Sequence, residues 1–318
     1  MDPGARLDDL AAAASAAEPV FVAAADERGL ARVHDIRAYV HDLRGENTEL
    51  EQEALLGLEH AQRAGDERLA NEMRWYLAWA ARSGPTHVDV AIARCREIAA
   101  RGDAATQLHA LFSIAFLQAQ TGKFEEAHAS ADRAGELLRE FGLGAWADGD
   151  VTTHGLIAML EGDYPSAEHL FRAAYERAVE RGRSIGYRAG WLAQALCALG
   201  RHDEAMELSR IAEEQSSEGV VEQVGWRVAR AKALAGEGAI DAALRFAADA
   251  VAVARASDDV PSRGRALLTL AELLSLVGRV EEARAVAVEA VEVHDRKGLS
   301  VPAARAQVLV EQSGSPVA

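Results

Sequence analysis

Sulfur, aromatic rings and positive charge are all scarce in this chain of 318 residues, and each scarcity excludes something. Its two cysteines, Cys95 and Cys197, lie 102 residues apart, each inside a helical pattern, which rules out a disulfide framework and a paired-cysteine metal site. Both read as buried thiols packing like small apolar residues. Aromatic residues make up 5%, so five tryptophans stand among many alanines. Against 50 Asp and Glu there are 34 Lys and Arg, a net charge of −16 that opposes binding to nucleic acid and to anionic membrane surfaces. No apolar run approaches the roughly 20 residues of a membrane span, and the start of the chain lacks the basic and apolar blocks of a signal peptide, so the expected location is cytoplasmic.

Catalytic signatures are missing as well. There is no Gly-x-x-x-x-Gly-Lys-Ser/Thr phosphate loop, nucleophile elbow or His-Glu-x-x-His pair. His34 and His41, each followed by Asp, sit two turns apart on one helix where a helical metal pair uses i,i+4 spacing, and they read as a solvated polar face. His154 and Cys197 would need two adjacent repeats to bring them together, and packing roles suit both better. No enzyme activity, cofactor or metal is expected.

What the chain has is a phrase repeated five times: Gly122-Lys-Phe-Glu-Glu-Ala127, Gly162-Asp-Tyr-Pro-Ser-Ala167, Gly200-Arg-His-Asp-Glu-Ala205, Gly238-Ala-Ile-Asp-Ala-Ala243 and Gly278-Arg-Val-Glu-Glu-Ala283, with glycines 40, 38, 38 and 40 residues apart. Such a period marks a solenoid, in which each unit buries its apolar face only by stacking on neighbours. The glycine suits the left-handed C′ position of one helix, and the acidic residues suit the first turn of the next. Seven residues beyond each closing alanine stands another (Ala134, Ala174, Ala212, Ala250, Ala290), and seven before each glycine a further small residue (Ala115, Gly155, Ala193, Ala231, Ala271). Small residues at facing positions let two helices approach closely, so each unit is a helical hairpin.

Punctuation at Gly65-Asp66, Gly102-Asp103, Gly142, Gly182, Gly219 and Gly298 separates the units, with Asp66 and Asp103 as N-caps. Degenerate units beginning at Gly84 and Gly45 carry the pattern back to about residue 26, giving seven hairpins. The division expected is 1–25 as a short helix or irregular cap interrupted by Glu18-Pro19, 26–298 as the repeat array, and 299–318 as a capping helix followed by a disordered tail after Ser313. Contacts in such an array are local, so removing 299–318 is expected to fray only the end units.

The three small-residue positions, with Phe124, Tyr164 and Val280 after the turns, resemble the tetratricopeptide repeat, departing from it in a longer period, few first-helix Trp or Tyr and no closing Pro. The resemblance implies an all-α, right-handed superhelical solenoid of about seven antiparallel helix pairs plus a C-terminal capping helix. Further phrases are similar to the C-terminal repeat region of large, typically actinobacterial, signalling ATPases, in which a class III cyclase or DNA-binding head precedes an AAA/STAND-type ATPase. They are Gly84-Pro85-Thr86 with Ala91-Ile-Ala-Arg-Cys95, Gln223-Val-Gly-Trp226-Arg227, Ala271-Glu-Leu-Leu with Val277 to Ala283, and Arg296-Lys-Gly298, spread over residues 30–310. This implies a sensor or scaffold arm, either a stand-alone relative or a fragment of a longer protein.

In such an array the first helix of each pair lines the concave face. The repeat register puts Phe112, Phe116, Tyr187, Trp191 and Lys232 there, with Trp75, Tyr76 and Trp79 upstream and Trp226 in the sixth pair. These aromatics either form a partner-binding groove or fill gaps between alanine-rich helices. The family's carboxylate clamp for peptide C-termini is not expected, because its positions hold Phe112, Phe116, Thr152, Leu156, Gly190, Gln194 and Leu268. The function expected is a non-catalytic scaffold for regulation or signal transduction, binding a protein or peptide in its concave groove. The alternative is a ligand-sensing domain of an ATPase or transcription regulator, which needs an enclosed pocket of roughly 300–1,000 Å³ where a protein partner needs only an open groove. A homodimer through the ends is left open.

Overall fold

The computed structural model describes residues 3–144 and 147–312 and is all-helical over them, with sixteen helices and no strand among the described residues. The tail expected to be disordered lies outside the described residues. Helix α1 (Pro3–Ala24) precedes seven antiparallel pairs: α2 (Glu27–Arg44) with α3 (Asn47–Arg63), α4 (Glu67–Ser83) with α5 (Val88–Arg101), α6 (Ala104–Gln120) with α7 (Phe124–Glu140), α8 (Ala147–Glu161) with α9 (Tyr164–Glu180), α10 (Gly186–Ala198) with α11 (His202–Gln215), α12 (Val220–Gly236) with α13 (Ile240–Arg255), and α14 (Val260–Leu276) with α15 (Val280–Lys297). Helix α16 (Ser300–Gln312) packs on α15.

The repeated phrase does what its chemistry requires. All five of its glycines have positive φ, between 74° and 85°, closing each first helix in the left-handed region. The alanine closing each phrase is wholly buried, and those seven residues later are at most 1% exposed. One unit departs instructively. Four residues after the phrase-ending alanine the others carry Ala131, Ser209, Ala247 or Ala287, whereas the fourth pair carries Phe171, 1% exposed. Its facing small residue is the only glycine of that set, Gly155, and a Cβ there would stand 2.6 Å from the Phe171 ring. The large side chain and the missing methyl compensate. Asp66 and Asp103 cap α4 and α6, accepting from the backbone N–H of Leu69 (3.1 Å) and Thr106 (2.9 Å).

Of the two forms expected for the first residues, a short helix or an irregular cap, a helix is found, and it differs from the expectation only in not being interrupted at Glu18-Pro19. It is one helix of 22 residues running through Pro19, held by packing along α2: Phe21 covers Gly29, Ala14 is 2% exposed, and Glu18 accepts from Arg37 at 2.5 Å. Tertiary burial here outweighs the hydrogen bond that proline removes.

The larger correction concerns locality. The superhelix completes a turn and rests its last two pairs on its first three, so one apolar core contains Ala78, Val88 and Ile114 together with Val220, Leu267, Val293 and Leu299. Two charged side chains fasten this closure by capping helices about 210 residues away. Glu46 makes no side-chain cap on α3; the carboxylate of Asp258 supplies it, accepting from Asn47 N (2.6 Å), Thr48 N (3.0 Å) and Thr48 Oγ1 (2.5 Å). At the opposite end of the neighbouring helix, Lys297 Nζ donates to the carbonyls of Ala81 (3.0 Å), Thr86 (3.1 Å) and Gly84, around the C-terminus of α4. Lys297 is 0% exposed, and burial draws its ammonium pKa down to about 8. Gly45 allows the approach: its φ is +66°, and a Cβ would lie 3.1 Å from Ser257 and 3.2 Å from Val220.

Lys297→Met strands three carbonyls and is expected to cost about 3 kcal/mol, and Asp258→Ala about 1–2 kcal/mol for the lost cap. Both act on one undocking event, so the double variant should cost less than the sum, measured by urea unfolding. Full additivity would show that the ends do not undock together.

Candidate functional site

The turn of the superhelix encloses a lumen, and the first helices present their inner faces to it. A cavity of about 150 Å³ lies there, open to solvent on one side. Its walls come from five first helices and two C-terminal ones: Phe116 and Gln120 of α6, Leu156 and Met159 of α8, Trp191 and Gln194 of α10, Lys232 of α12, Arg265 and Leu268 of α14, His294 of α15, and Arg305 of α16. It continues into a wider groove of about 700 Å³ sharing Met159, Gln194, Lys232, Leu268 and Arg305, and bounded by Tyr164, Glu272 and Val308. Helix α16 therefore covers the last pair and also spans the lumen, with Arg305 donating to the carbonyls of Leu160 (2.7 Å) and Met159 (3.3 Å) at the end of α8.

The residues singled out from sequence are distributed unevenly around this site. Phe116 and Trp191 line the cavity. Tyr187 is half-buried and meets Trp191 edge-on, with ring centroids 6.3 Å apart. Trp75 and Trp79 stack at 6.1 Å on α4, half-buried, with His109 of α6 4.7 Å from Trp75. Tyr76, Phe112 and Trp226 are 7%, 5% and 5% exposed. Tyr76 belongs to the core of the first two pairs, and Phe112 packs with Leu108 and Ala134. Trp226 faces Phe246, with the Arg227 guanidinium 4.1 Å above its ring. The clamp positions Phe116, Leu156, Gln194 and Leu268 all reach the cavity wall. Cys197 is half-buried rather than buried and directs its thiol at the Ala229 carbonyl, while His154 faces Asp132 and Asp150; burial pushes the thiol up to about 12.

Missing from the sequence reading were the cationic residues between these aromatics. Arg82 lies over Phe116 at 4.2 Å and Trp79 at 5.1 Å, and Arg265 over Trp191 at 4.5 Å. Burial lowers the pKa of both guanidiniums, against which Asp259 and the Tyr187 phenol act. Arg265 stands one turn before Leu268, so the same register would have found it. His294 and Arg305 carried no such signal, since they come from an outer helix and the capping helix. His34 and His41 bond to Glu53 and Glu46, each at 2.6 Å, and no cluster of three metal-ligating side chains occurs among the described residues.

His109 makes the aromatic stack pH-sensitive. It is 6% exposed, and burial brings its pKa from 6.5 down to about 3. Below pH 6.5 the unfolded chain takes up a proton that the folded chain refuses, so the contribution of His109 is complete above pH 6.5 and drains as pH falls. At pH 5, about 1.5 units lower, the loss is about 2 kcal/mol. Asp42, pushed up to about 7 by burial, acts in the opposite sense but is common to both proteins compared. His109→Phe should therefore flatten the fall in urea-unfolding stability between pH 7 and pH 5 by about 2 kcal/mol; an unchanged slope would mean that the ring protonates in the folded state.

No protein-family model matches the chain, and no curated protein matches its sequence. No helix among the described residues is long and apolar enough to cross a membrane. Among solved structures the fold is similar to yeast Tom70, with a TM-score of 0.51 and 13% identity over 96% of this chain and 59% of that one. It is similar also to NprR in complex with its cognate peptide NprX, with a TM-score of 0.50 and 12% identity over 98% and 82% of the two chains. The chain thus spans less than two thirds of the length of Tom70. At such identities the likeness is one of architecture: the chain folds as a tetratricopeptide-like helical-repeat solenoid.

Proposed function

We propose that this protein is a non-catalytic receptor for an extended peptide segment, which lies in the lumen groove and inserts one side chain or end into the inner cavity. The observation that carries the reading is the shape of the site. The inner cavity, about 150 Å³, falls below the range for an enclosed small-molecule pocket, whereas the groove that continues it is wider, about 700 Å³, and open. An extended chain matches both parts. The inner wall offers Phe116, Leu156, Trp191 and Leu268 as apolar surface and Gln120 and Gln194 as amide groups able to bond a peptide backbone. NprR, of similar fold, was crystallised with a peptide, which is consistent with the reading without carrying it.

The geometry of closure supports a regulatory role. A ligand reaching from Phe116 of α6 to Arg305 of α16 touches both sides of the closed turn and so favours one superhelical pitch over others. The signalling-ATPase context suggested by the sequence phrases suits such an arm and forms part of the proposal.

The test is selection of a displayed peptide library on the purified chain, followed by titration of the enriched peptides against tryptophan emission. Peptides should bind the native chain, change emission through Trp191, and lose about tenfold or more in affinity when Leu268→Trp fills the groove. Enriched peptides indifferent to Leu268→Trp would place the binding surface elsewhere.

A further inference from the structure

The charge of the inner cavity contradicts the charge of the protein. The chain carries 50 acidic residues and a net charge of −16, yet the cavity wall contains Lys232, Arg265 and Arg305 and, among the described residues, no Asp or Glu. Two of the three cations are engaged: Lys232 with Glu272 at 3.1 Å, and Arg305 with the α8 carbonyls. Arg265 is not. One face of its guanidinium covers Trp191, and its Nε is buried without a hydrogen-bond partner. Asp259, whose field reaches Arg265, also faces Arg82 and is occupied in capping α14 through Ser262 N at 2.8 Å.

Two more side chains in the same wall are buried with unused polar atoms. Gln120 is 7% exposed with its Oε1 unpaired, and His294 is 2% exposed with both ring nitrogens unpaired. Buried polar groups in folded proteins are overwhelmingly bonded, so three such residues around one cavity mark a place built for something else to complete. We infer that the inner cavity seats a carboxylate of the ligand against Arg265, with Gln120 and His294 bonding the polar atoms beside it. This rests on the groove being a ligand site and names the chemistry of what enters it. A carboxylate is planar and accepts two parallel N–H bonds from a guanidinium. The apolar wall of Phe116 and Leu156 lowers the local dielectric, and the surrounding acidic surface leaves the lumen as the place where an anion is attracted. The inner cavity admits a group of a few atoms and excludes a nucleotide by size.

Three sources carry this chemistry, a peptide C-terminus, an Asp or Glu side chain and a small free acid, and one experiment separates them. Immobilised native chain is exposed to three hexapeptide pools: acid-free with amidated ends, acid-free with free C-termini, and Asp/Glu-containing with amidated ends. Succinate is titrated in parallel by tryptophan emission. Retention of the second or third pool over the first, or a saturable succinate response, is expected, falling about tenfold or more in Arg265→Met while the urea-unfolding midpoint shows that variant folded. The second pool assigns the C-terminus, the third an acidic side chain, and succinate with no peptide retained keeps the carboxylate site but overturns the peptide reading. Equal retention of the amidated, acid-free pool by native chain and Arg265→Met overturns the carboxylate inference and leaves the groove standing. No retention and no succinate response overturn both.

Discussion

Two helix termini that cannot satisfy themselves hold this molecule in shape. Helix α3 begins without a side-chain cap of its own, and α4 ends with carbonyls facing inward; Asp258 and Lys297 supply both from the far end of the chain. A solenoid ordinarily behaves as a one-dimensional object in which each unit knows only its neighbours. The trans caps turn this one into a closed body with a shared core, in which Leu299 and Ala78 are parts of the same cluster. Joining the ends confines the superhelix to a narrow range of pitches, and the dimensions of the lumen with it.

The composition of the chain makes that closure reachable. Alanine at the facing positions of nearly every pair lets helices pack tightly, so the array curves sharply enough to meet itself within seven pairs. Tight curvature leaves a narrow lumen with room for aromatic rings and guanidiniums in alternation rather than for a broad concave sheet of side chains. The outer surface carries the acidic excess. Inside, Arg82, Arg265, Lys232 and Arg305 accumulate positive charge against Trp79, Phe116 and Trp191.

Much of the architecture was legible because it rests on local chemistry repeated at a fixed interval. A glycine with positive φ and buried alanines leave the same trace in every unit, and even the exchange of Phe171 for a missing methyl at Gly155 is written in the aligned repeats. The closure was not legible. Lys297 and Asp258 look like solvated charges beside inter-repeat turns, and nothing in their neighbours distinguishes them from Arg296 or Asp295, because their partners lie some 210 residues away. The site was half legible for the same reason. Register along the first helices reached Phe116, Leu156, Gln194, Lys232 and Leu268, whereas His294 and Arg305 enter the lumen only because the chain turns back on itself. Pro19 misled in the opposite direction, since packing along α2 carries α1 through it.

The distance between Asp258 and the helix it caps also has a consequence in time. During synthesis α3 and α4 are complete long before their caps exist, and at about 5–20 residues per second the interval is roughly 10–40 s. Throughout it, the first pairs present an open helix start, inward-facing carbonyls and half of an apolar core, a nascent surface on which a chaperone or another emerging copy would compete with the last two pairs.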